Sequence, residues 1–129
     1  MFRNAKEEYM KTSNLAVFAF VVLVAGLVVA SAEEKYGVKV FDGAKYDADT
    51  SQFLITQMKV DGACYRTDAT PAQVNDFYKT QPGTTAVHTD ATGGMFKKGN
   101  VNITVQAPWM NMKTGQRMKD TLISIVKTQ

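Results

Sequence analysis

From Thr12 to Ala32 the chain carries no charged side chain, and within that stretch Leu15 to Val29 reads LAVFAFVVLVAGLVV. A helix of this length, at about 1.5 Å per residue, spans roughly 30 Å, the thickness of a bilayer's hydrocarbon core. The segment therefore either stays in lipid as a single transmembrane helix or is removed as the apolar part of a signal peptide. Cleavage would use Lys11 as the charged region and Ala30-Ser31-Ala32 as the A-x-A site before Glu33. The leading MFRNAKEEY is longer than a minimal charged region needs, which favours a retained anchor in contact with membrane lipid. Arg3, Lys6 and Lys11 precede the segment and Glu33-Glu34 follow it. Both readings thus place the N-terminus in the cytoplasm and residues 33 to 129 on the periplasmic or extracellular side; a soluble periplasmic protein is the alternative.

What remains is large enough for one small domain. Of the net charge of +3, Arg3, Lys6 and Lys11 against Glu7 and Glu8 supply +1, leaving +2 on residues 33 to 129. Lys97 and Lys98 are the only adjacent basic pair. A nucleic-acid surface needs a stripe of cations that neutralises several phosphates, so no nucleic-acid partner is expected. Cys64 is the only cysteine, which rules out an intramolecular disulfide.

Residues 33 to 48, polar and rich in Gly and Asp, read as a linker with a short extended piece at Val38 to Phe41, and residues 49 to 129 as the exported domain. Asp49 or Thr50 caps a helix through about Val60 that buries Phe53, Leu54 and Met58. Ala63 to Thr67 reads as a strand. Thr70-Pro71-Ala72-Gln73 is a capping box with proline at the first helical position, opening a helix to about Gln81 whose Val74, Phe77 and Tyr78 share a face. Thr84 to Thr89 is a strand, Asp90 to Gly94 a turn, and Met95 to Lys98 a strand joined through Gly99-Asn100 to VNITV, where Val101, Ile103 and Val105 point to one side. TLISIV, residues 121 to 126, is apolar on both faces and belongs in the middle of a sheet. The expected fold class is α+β, an antiparallel sheet with one or two helices on one face.

The run CYRTDATPAQVNDFYKTQPG, followed by GGMFKKGNVNITVQ and the closing TLISIV, resembles small bacterial envelope domains of uncharacterised function, in which a Tyr-x-Thr strand leads into a Val-x-x-Phe-Tyr helix and a β-meander. The resemblance covers residues 62 to 126. It implies an α+β fold and carries over no reaction and no site residue.

Nucleophilic catalysis needs a base beside the nucleophile, and His88 is the only histidine. Cys64 has no neighbouring cation to stabilise a thiolate and reads as a buried, inert thiol. Asp47, Asp49 and Ser51 imitate the start of a calcium loop, but the glycine and glutamate such a loop needs are replaced by Gln52 and Met58. The chain is expected not to be an enzyme and to hold no cofactor.

APWMNMKTGQRMKD, residues 107 to 120, concentrates Trp109, Met110, Met112 and Met118. The simplest reading is a hairpin: Pro108 ends a strand, Lys113-Thr114-Gly115 turns, and the methionines lie over one mouth of the sheet. A second takes Trp109, Met110 and Met112, with Phe77 and Tyr78, as contacts for partner subunits. A third uses the soft thioethers of Met110 and Met112, together with His88, as ligands for Cu(I). These residue types are similar to those of small periplasmic copper chaperones of cation-efflux systems, but Trp and the first Met are adjacent here, which departs from that pattern and removes the tryptophan cover on an extended chain. The function expected is a non-catalytic accessory subunit of a bacterial membrane complex, single-pass, with an exported domain. The alternative is a secreted periplasmic binding protein that takes Cu(I) through Met110 and Met112.

Overall fold

A computed structural model describes residues 33 to 129; the anchor or signal-peptide reading of residues 1 to 32 lies outside the described residues. No helix among the described residues is long and apolar enough to cross a membrane. The elements are β1 (Glu34–Lys35), β2 (Val38–Lys39), β3 (Lys45–Tyr46), α1 (Ala48–Gln57), β4 (Asp61–Thr67) and α2 (Pro71–Lys79), then β5 (Thr85–Asp90), β6 (Gly93–Lys98), β7 (Val101–Gln106), β8 (Trp109–Met110), β9 (Arg117–Met118) and β10 (Thr121–Lys127). Six strands form one sheet in the order β3-β4-β10-β7-β6-β5. Every neighbouring pair in it is antiparallel. The fold is α+β.

β10 lies between β4 and β7, as an apolar strand with two faces to bury requires. Its Ile123 and Ile125 join Val101, Ile103 and Val105 of β7, Phe96 of β6, and Ala63 and Tyr65 of β4 in the main core. α2 closes that face with Val74 and Tyr78. The Thr70–Gln73 capping box is formed in both directions, so two of the helix's otherwise unpaired N–H groups are satisfied where the chain turns onto the sheet. α2 stops at Lys79, two residues earlier than its pattern suggests, and Thr80 caps it.

Four expectations need correction. Residues 33 to 48 do not run as a linker: Val38 and Val40 are buried in the main core, β3 extends the sheet, and the Tyr65 hydroxyl donates to Glu33 at 3.2 Å. Their polar composition hides two valines at alternate positions, enough to fasten the segment to the sheet. α1 is capped by Asp47 and ends at Gln57, and its buried residue is Ser51, while Met58 is exposed. The two helices do not share a face. α1 packs on β4, and its Leu54 joins Cys64, Leu122 and Trp109 in a second cluster apart from the core under α2. Finally, only Ala91 and Thr92 separate β5 from β6; Gly93 and Gly94 lie inside β6. A Cβ on Gly93 would sit 2.1 Å from the Val105 carbonyl oxygen, and one on Gly94 2.5 Å from Asn75 Oδ1. These glycines serve close approach of neighbouring chain rather than a turn.

At the β4 side of the sheet, α1 takes over from the two-residue β3. The Cys64 N–H donates to Ser51 Oγ at 2.8 Å, and the Asp47 N–H donates to the Cys64 carbonyl at 2.8 Å. Backbone groups of β4 that an edge strand would leave open are thus satisfied from the start of a helix.

Candidate functional site

β8 and β9 form a two-stranded ribbon, with Trp109 opposite Met118 and Met110 opposite Arg117. The hairpin reading of residues 107 to 120 describes this segment, with a longer turn. Asn111 Oδ1 accepts from the backbone N–H of Lys113 at 2.9 Å and Thr114 at 3.2 Å, Asn111 N–H donates to the Gln116 carbonyl, and Gly115 takes φ +75°. A short polar side chain that satisfies two backbone donors organises the turn locally. Lys113 also reaches Asp49 of the α1 first turn at 3.3 Å.

Alternation along β8 buries Trp109 and turns Met110 outward. Trp109 is 2% exposed and packs in the second cluster with Cys64 and Leu122. Its indole N–H donates to Asp120 Oδ1 at 2.9 Å, while Arg66 Nε donates to Asp120 Oδ2 at 2.8 Å. The guanidinium carbon lies 5.2 Å from the Trp109 ring centre, within cation–π range. Asp47 stands 3.9 Å from Arg66 Nη1. The base of the ribbon is therefore held by an aromatic anchor, a shared carboxylate and an arginine. Arg66, Asp120 and Asp47, but not Trp109, border a cleft of about 330 Å³ whose walls also include Gly43, Lys45, Tyr46 and Asp68.

Above this base Met110 and Met112 are 51% and 59% exposed. They do not lie over the sheet as apolar fill; the ribbon carries them outward. The other candidate residues separate. Trp109 is an internal anchor, and Tyr78 is fully buried with its hydroxyl donating to the Lys39 carbonyl at 2.9 Å, so neither offers a contact surface. Phe77 is half-buried, set edge-on between Phe41 and Tyr78. The amphipathic pattern that marks α2 as docked is the reason Tyr78 is unavailable to a partner, while Phe77 keeps part of its surface exposed.

His88 lies on β5, at the far edge of the sheet, whereas the ribbon packs against residues of β4 and β10. Its Nε2 is 2.9 Å from Asp90 Oδ2, and with Thr92 this pulls the Asp90 carboxyl down to about 2. The fold therefore does not bring Met110, Met112 and His88 together. Among the described residues no group of three His, Cys, Asp or Glu could hold a metal ion. Cys64 is fully buried with Sγ 3.4 Å from Ser124 Oγ; burial pushes its thiol pKa up, against a smaller opposing effect of Ser124. Asp47, the first of the calcium-like residues, caps α1 instead, accepting from the Thr50 backbone N–H and hydroxyl.

The Arg66–Asp120–Trp109 assembly had no sequence signal beyond residue type, since Arg66 and Asp120 are 54 positions apart. Comparison with known proteins finds no matching family model, no similar curated protein and no similar solved structure.

Proposed function

We propose that this chain is a non-catalytic accessory subunit of a bacterial membrane complex, anchored by residues 12 to 32, whose exported domain touches a partner through the tip of the β8–β9 ribbon. The observation that supports it most is the exposure of Met110 and Met112 on a ribbon whose base is locked by Trp109, Asp120 and Arg66. Methionine side chains adapt to irregular apolar surfaces and are over-used where proteins dock. A stiff support lowers the ordering cost of binding, so the tip is presented in one geometry. Tyr78 and Trp109, being buried, drop out of the contact set, and the reading rests on Met110 and Met112.

The test is affinity purification of the full chain from native membranes in mild detergent, with bound proteins quantified by mass spectrometry. The expected result is one or a few subunits in fixed ratio with the wild type and their loss from Met110→Asp/Met112→Asp, which leaves the anchor unchanged. A wild-type chain that purifies alone contradicts the reading. The same two thioethers support a second reading, a secreted protein that holds Cu(I) through Met110 and Met112. It requires Cu(I) to bind the wild-type chain and not Met110→Leu/Met112→Leu.

A further inference from the structure

The two edges of the sheet are treated differently. At one, the terminal strand β3 is only two residues long, and beyond it the cap residue Asp47 and Ser51 of α1 satisfy backbone groups of β4. At the other, β5 runs for six residues, TAVHTD, and among the described residues nothing pairs with its outer side. Edge strands are ordinarily blunted by charged residues, Pro, bulges or extreme shortness. β5 has no Lys or Pro and is not short; its only charged residue is Asp90 at its end, and it exposes Val87 at 54%. Its one irregularity is a shift in register between Ala86 and His88.

We propose that the outer edge of β5 pairs with β5 of a second copy of this chain, antiparallel about a two-fold axis, to make one continuous sheet. This inference stands on the β5 edge alone and is independent of the ribbon's role. The register with β6 sets the faces: Thr85, His88 and Asp90 lie opposite Lys97, Met95 and Gly93 and share one face, while Ala86 and Thr89 share the other. In a two-fold antiparallel pair, residues opposite one another must belong to the same face. The longest pairing that satisfies this sets Thr85 against Asp90 and Ala86 against Thr89 of the other copy, with Val87 beside His88 at the axis. The shift at Val87 is what makes this match work, because unbroken alternation would put Thr85 and Asp90 on opposite faces.

Charge supports the same register. Thr85 is the β6 neighbour of Lys97, so each exposed Asp90 carboxylate shares a face with the other copy's exposed Lys97, two strands away (about 10 Å between backbones) across the small Thr85 side chain, twice about the axis. No like charges face each other along the edge. The backbone groups that pair would otherwise be left to water, and the side chains that approach are small or β-branched, which suits strand addition.

The test uses the full chain in detergent micelles, with molar mass from light scattering and sedimentation. The wild type is expected to be a dimer. Val87→Lys, which places a charge at the axis on an already exposed position, is expected to give a monomer. Asp90→Lys is expected to weaken the dimer at least tenfold, and Asp90→Lys/Lys97→Asp to restore it. A monomeric wild type overturns the proposal, as does a dimer that survives Val87→Lys, since association then uses another surface. Failure of the double variant to recover overturns the register. Capture of an extended foreign peptide along β5 by a monomer overturns the choice of a second copy.

Discussion

Arg66 and Trp109 take the two oxygens of a single carboxylate, that of Asp120, and lie within 5.2 Å of each other. One residue from the strand core, one from the ribbon and one just ahead of the last strand are thereby joined at the point where the ribbon leaves the domain. Asp120→Asn keeps the shape and an acceptor for the indole but removes the charge facing Arg66. Hydrogen bonds to charged groups contribute about 1.5–3 kcal/mol, and partial exposure of Arg66 places the expected loss near the lower figure. Urea denaturation measures it. Trp109→Ala empties the anchor's place in the second cluster, and a loss of about 3–5 kcal/mol is expected.

At the β4 side of the sheet one hydroxyl satisfies a buried backbone donor. Ser51 is fully buried and accepts the Cys64 N–H, so Ser51→Ala leaves that donor without a partner and costs about 1–3 kcal/mol. Hydrogen exchange gives a local readout: the Cys64 amide loses protection well before the β7 amides do. Unchanged protection at Cys64 contradicts the role assigned to Ser51.

Gly93→Ala is expected to be far more damaging than Gly94→Ala. The added carbon at position 93 meets the backbone of β7, which cannot yield without breaking the ladder, whereas at 94 the nearest obstacle is an Asn75 side-chain atom. A loss of about 3 kcal/mol or more is expected for Gly93→Ala, at the upper end of overpacking. Thermal melts of the two variants compare them directly.

Cys64 should resist thiol reagents in the folded protein. It is fully buried and its thiol pKa is raised by desolvation, so both access and thiolate are scarce. Labelling by a disulfide exchange reagent at mildly alkaline pH is expected only after denaturant is added.

The Asp90 carboxyl, held down to about 2 against an ordinary 3.8 mainly by His88 and then by Thr92, ties a small part of folding stability to acid pH. A carboxyl lowered in the folded state contributes fully above its unfolded pKa, and that contribution disappears as the pH falls from about 4 to about 2. His88→Ala removes the largest cause. A carbon-detected NMR titration should then find Asp90 moved up toward its ordinary value, with Thr92 retaining part of the shift.

Much of the sheet was legible in the chain because its determinants are local. Alternation in VNITV, the Gly99-Asn100 turn and the two-faced apolarity of residues 121 to 126 each act within a few positions, and each lies where its pattern puts it. The Thr70–Gln73 capping box is equally local. What escaped is what depends on distant chain. Gly93 and Gly94 look like turn residues until Val105 and Asn75 are beside them. Ser51 looks like a surface serine until Cys64 offers it an unpaired N–H. Trp109 and Tyr78 looked like contacts because large aromatic residues serve interfaces and cores alike, and only the packed fold distinguishes the two uses.

The central claim is that the ribbon tip is the surface that meets a partner, and crosslinking tests it most directly. A photoreactive amino acid at position 112 is compared in native membranes with the same group at position 58, where Met58 on the α1 side is exposed to a similar degree. The account predicts a discrete crosslinked membrane protein from position 112 and none from position 58. Equal crosslinking from both positions, or none from 112, contradicts it.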